Sequence, residues 1–95
     1  MSDFVSHVDN MEATLLGAVN NQDDHALFIA SYLHGHFDVV VSRVISHAEP
    51  SLKLLDETMR SSLAGAFSNQ ELIEQDQQQV LTLWDSLMQA EQTLP

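Results

Sequence analysis

Cysteine is absent from this chain, which excludes disulfides and thiolate metal sites and leaves the redox compartment open. Basic residues are scarce: three Lys and Arg stand against fourteen Asp and Glu, a formal net charge of −11. Such a field repels phosphate backbones and anionic lipid surfaces, so neither nucleic acid nor a membrane is expected as a partner. No apolar run approaches the roughly 20 residues of a membrane-spanning helix. The opening MSDFVSHVD lacks the basic segment of a signal peptide. A soluble, cytoplasmic protein is the expectation. Also missing are G-x-S-x-G, a Walker loop and any glycine-rich phosphate cradle, so no enzyme activity is expected.

What is present points to helices. At 95 residues and 44% apolar content, the chain reads as one globular domain over 1–95. The stretch from Asp23 to Ile45 is its most apolar long run. At a helical period, Phe28, Ile29, Tyr32, Leu33, Val39, Val40 and Val44 share half its circumference. His25, His36 and Arg43 fall on one line near the middle of that half. So broadly apolar a helix needs covering on several sides, which makes it the central helix. Gly35, at the edge of the apolar arc, costs about 1 kcal/mol of helix propensity. A close helix crossing is expected there in return.

Around it the periodicity places helices near 2–20, 23–47, 50–66 and 69–92. The first carries Phe4, Val5, Val8, Met11, Leu15, Leu16 and Val19, with Ser2 or Asp3 as its cap. Asn20, Asn21 and Gln22 break that pattern, and Asp23-Asp24 then caps the second helix. Pro50 starts the third, which holds Leu52, Leu55, Met59, Leu63, Ala66 and Phe67, with Gly65 near its end. Glu49–Lys53 and Asp56–Arg60 are spaced for i,i+4 pairs. Ser68-Asn69-Gln70-Glu71 fits a capping box opening the fourth helix, whose apolar face is Leu72, Ile73, Val80, Leu83, Trp84, Leu87 and Met88. The fold class is therefore all-α: a single-domain four-helix bundle, up-down or with one crossed pair.

Leu27-Phe28, Tyr32-Leu33 and Gly35-His36, followed by Asp76-Gln77, Val80, Trp84 and Leu87, resemble the YfcL family of small acidic bacterial proteins. The resemblance spans roughly residues 23 to 90. In one departure the acid pair lies a residue further ahead of Leu27-Phe28, so His25 stands where a carboxylate is usual. The resemblance implies an all-helical, cytoplasmic bacterial protein and supplies no mechanism.

Five histidines raise the question of a metal. Successive gaps from His7 to His25, His34, His36 and His47 are 18, 9, 2 and 11 residues, so no two lie three or four apart on one helix. No Glu-x-x-His tetrad of the di-iron kind is present. No metal or other cofactor is expected.

One polar constellation rises above the background. Asp76 falls among Leu72, Val80, Leu83 and Leu87, and Glu12 falls between Val5, Val8 and Val19. His36 and Arg43 lie on the arc of the central helix. Two acids and two cations facing inward must pair, with Asp76 bonded to His36 or Arg43. These four and Tyr32 form the candidate site, read first as structural cross-bracing and second as a binding cleft. The function expected is a non-enzymatic interaction module, an adaptor or modulator binding a protein with a basic or amphipathic surface. The alternative is a small-molecule or enzyme-like site around His36, Asp76 and Tyr32.

Overall fold

A computed structural model describes residues 2–19 and 23–92. Four helices make up most of them: α1 (Ser2–Val19), α2 (Asp24–Ile45), α3 (Leu52–Ser68) and α4 (Glu74–Gln92). The all-α expectation holds, with no strand among the described residues. Capping by Ser2 or Asp3, and the break at residues 20–22, rest on groups outside those described. No helix is long and apolar enough to cross a membrane.

Where the helices begin follows from local side-chain chemistry. Asp23 holds an extended backbone and its carboxylate accepts from the His25 N–H at 3.2 Å, while Asp24 adds negative charge to the first turn. α3 opens later than its proline indicates, because Ser51 is the cap: its hydroxyl accepts from the Leu54 N–H at 3.1 Å. Glu49 therefore lies ahead of the helix and has no i,i+4 relation to Lys53 within it. Asp56–Arg60 does form, at 2.9 Å.

The capping box expected at Ser68–Glu71 is not used. Ser68 ends α3 instead, its hydroxyl donating to the Gly65 carbonyl at 2.9 Å, and Gly65 does not terminate the helix. Asn69 caps α3, and Gln70 then turns the chain with a φ of 60°, the left-handed region that favours glycine. α4 starts only at Glu74, with Gln77 Nε2 donating back to the Leu72 carbonyl at 2.9 Å. The competing principle is plain: a helix C-terminus occupies the residues that spell an N-terminus.

α2 packs against each of the other three helices and is the centre of the bundle. Its fully buried residues Leu33, Phe37, Val40 and Val44 meet Met11 and Leu15 of α1, Leu55, Met59 and Leu63 of α3, and Val80 and Trp84 of α4 in one core. The buried arc of α2 is not the one its composition indicates. Phe28 and Val39 are 45% and 52% exposed, whereas Ala30 and Phe37 are buried. At 100° per residue, the core-facing centre is rotated by roughly 70° from the expected one. Everything on the line of His25, His36 and Arg43 moves from the middle of the core face to its flank.

Gly35 is also displaced by that rotation. A Cβ built on it would meet no atom within 4 Å, so no close helix crossing explains the glycine. Gly35→Ala is expected to stabilise the protein by about 0.5–1 kcal/mol through helix propensity. Gln70→Gly should do the same by relieving the left-handed backbone. Urea unfolding of both variants checks this; a lower midpoint for Gly35→Ala would show that a close approach exists there after all.

Candidate functional site

The rotation of α2 leaves a continuous side-chain stripe at the surface: His25, Phe28, Tyr32, His36 and Val39, spaced three or four residues apart. Neighbouring rings lie in contact, with centroids 6.4 Å apart for His25–Phe28, 6.5 Å for Phe28–Tyr32 and 4.8 Å for Tyr32–His36. α3 flanks the stripe, and Ser62 Oγ sits 3.2 Å from His36 Nδ1. From the α3–α4 connection, Glu71 accepts a hydrogen bond from the Tyr32 hydroxyl at 2.9 Å. Between the two helices lies an open cavity of about 450 Å³, lined by Ser31, Tyr32, Gly35, His36, Val39 and Ser62. Through Ser62 it borders a second, of about 590 Å³, where Arg43, Glu57 and Glu71 stand.

Burial, then the hydrogen bond to Glu71 and the charge of that carboxylate, push the Tyr32 phenol up to about 12. Tyr32 is thus a fixed donor. It orients Glu71 over the groove and stays neutral throughout the physiological range.

The candidate residues named from sequence do not assemble into one buried network. Tyr32 and His36 do come together. Asp76 does not join them: its carboxylate is 3.2 Å from His25 Nε2, with 15% of the Asp76 side chain and 50% of the His25 side chain exposed. α2 and α4 are neighbours, as expected. They start at the same end of the bundle, so residue 25 lies level with residue 76. His36 is eleven residues, about 16 Å, further along. Arg43 is exposed in the last turn of α2. Glu12, with 42% of its side chain exposed, faces His34 at 3.6 Å. His36 lines the cavity between α2 and α3, whereas Asp76 pairs with His25.

Two further polar ties lie outside that constellation. On α4, Glu91 is the buried acid, 7% exposed, with its Oε1 2.6 Å from His7 Nδ1 and 3.4 Å from Asn10 Nδ2. Its position four residues after Leu87 and seven after Trp84 puts it on the apolar arc, and that signal was available. The other tie joins α3 to α4. Buried Trp84 donates its indole N–H to Asp56 Oδ1 at 2.8 Å, and Arg60 bridges Asp56 to Asp85. A buried tryptophan needs an acceptor, but nothing in the sequence names which acid provides it. Hydrogen bonding to Asp85 raises the Arg60 guanidinium above its ordinary value; desolvation opposes the rise, and the charges of both aspartates add to it.

Fold and site together define a class: an acidic four-helix bundle whose central helix keeps an aromatic stripe and a polar groove at the surface. The chain belongs to the YfcL family, since the family model described as YfcL protein matches residues 5–89. Among curated proteins it is similar to one printed as "Uncharacterized protein YfcL" from Escherichia coli (strain K12). The two are 29% identical over 86 residues, covering 86% of this chain and 94% of that protein. No solved structure matches.

Tyr32 is the single tyrosine, so its ionisation can be followed by phenolate absorbance alone. In the folded protein the midpoint is expected near 12, against an ordinary value of 10.0. Because the folded value is raised, the stability it contributes is complete below pH 10 and is lost as pH rises through about 12. Glu71→Gln should lower the midpoint without restoring 10.0, since burial is the larger cause. Folded protein titrating near 10 would contradict the Tyr32–Glu71 geometry.

Proposed function

We propose that the protein is a cytoplasmic, non-enzymatic interaction module that receives a basic amphipathic helix along α2 and the α2–α3 groove. The observation that carries this reading is the exposed pair Phe28 and Val39, 45% and 52% accessible, bracketing Tyr32, Gly35 and His36 on one helical line. Anchors at this spacing suit the i, i+4, i+7 contacts of a helix lying in a groove. Gly35 keeps the floor of the groove low and has no packing role of its own, since nothing approaches it within 4 Å. The net charge of −11 favours a cationic partner and speeds its encounter. Glu57 and Glu71 beside the groove supply local negative charge of the same sense.

The test compares the wild type with a Phe28→Ser/Val39→Ser variant in capture from the native cell. Both substitutions fall on exposed side chains, so the fold should survive, and circular dichroism confirms it. The partner should be retained by wild type, lost by the variant, and bind with an on-rate that falls as salt rises. Equal capture by both proteins, or an on-rate indifferent to ionic strength, would overturn the reading.

A further inference from the structure

Away from the groove, on the opposite flank of α2, three metal-binding side chains converge. His34 projects from α2 toward α1, and its Nε2 atom is shielded from solvent with no hydrogen-bond partner. Glu12 Oε1 lies 3.6 Å from that nitrogen and Asp38 Oδ1 lies 3.8 Å from it. All three ligand atoms fall within 4.8 Å of one another. These separations are ion-pair contacts, longer than hydrogen bonds. They are close to the edge of a coordination shell: two ligands held at roughly 2.0–2.1 Å about a tetrahedral ion stand roughly 3.4 Å apart.

We propose that Glu12, His34 and Asp38 form a binding site for one divalent transition-metal ion of the Zn²⁺ type. One imidazole nitrogen with two carboxylate oxygens suits a borderline cation better than Mg²⁺ or Ca²⁺, which take oxygen ligands. Three protein ligands leave a further position for water. The two carboxylates balance the charge of a dication, and their exposure, 42% and 58%, gives the ion a path from solvent. Asp38 follows His34 by four residues on the same helix, and Glu12 comes from α1, so the ion would clamp the α1–α2 interface. Gaps between histidines cannot reveal such a site, because only one of its ligands is a histidine.

The experiment uses the full chain stripped of metal. Zn²⁺ alone is titrated by calorimetry, and Co²⁺ alone by its visible absorption, which reports coordination geometry. One ion per chain is expected, with Mg²⁺ in excess failing to displace it. His34→Gln should abolish the site, and Asp38→Asn, an exposed change that leaves the core untouched, should weaken binding by about tenfold or more. His47→Ala, a histidine outside the helices, serves as control and should bind as wild type does. Bound Zn²⁺ should also raise the melting temperature of wild type and not of Asp38→Asn. Absence of saturable binding would overturn the proposal. So would Zn²⁺ binding that persists unchanged in both His34→Gln and Asp38→Asn, or that depends on His47.

Discussion

Burying Trp84 is the constraint on which the rest of this bundle depends. Its indole is fully buried, packs against Phe37 at a centroid distance of 6.3 Å, and carries an N–H that must find an acceptor. Asp56 provides it, and Arg60 holds that carboxylate in turn while reaching across to Asp85. α3 and α4 touch one another more sparingly than either touches α2. The indole–carboxylate–guanidinium relay is therefore what fixes their register. α1, α3 and α4 all pack on α2, and what they cover together leaves Phe28 and Val39 outside.

A second regularity runs through the interfaces. His7 ties α1 to α4 through Glu91, His25 ties α2 to α4 through Asp76, and His36 ties α2 to α3 through Ser62. With three Lys and Arg in the chain, imidazoles take the inter-helix positions that a basic side chain fills in a less acidic protein. These ties differ in weight. Glu91 is buried and His7 about a quarter exposed, so removing His7 would leave the carboxylate with only the longer bond from Asn10. The Asp76–His25 pair, half exposed on the histidine side, belongs with surface pairs worth about 0–1 kcal/mol. His34 faces Glu12 of α1 as an ion pair, with no hydrogen bond to its Nε2.

The architecture was legible in the sequence because period and punctuation agree along most of it. Val8, Met11 and Leu15, or Leu55, Met59 and Leu63, recur at helical intervals and are buried where the pattern puts them. The site was less legible. On α2 apolar residues cover more than half the circumference, so composition alone cannot say which half faces inward; Phe37 and Ala30 decide it, and only the neighbouring helices show that. Pairing needs level as well as face. Asp76 lies on the side of α4 that meets α2, yet its partner is His25, since the helices start together. Ser68 shows the limit of local motifs: the same four residues spell a cap for α4 and serve as the exit from α3.

The role given to Trp84 and Asp56 is tested most directly by a double-mutant cycle on stability, using Asp56→Ala, Trp84→Phe and the two combined. Trp84→Phe keeps a buried ring and removes the N–H. Asp56→Ala in the wild-type background should cost about 1–3 kcal/mol, the penalty of a buried donor left without its acceptor. In the Trp84→Phe background that cost should shrink by about 1 kcal/mol or more, and Asp56→Asn, which keeps an acceptor oxygen, should be milder than Asp56→Ala. Strictly additive losses would contradict the coupling of α3 and α4 through this bond.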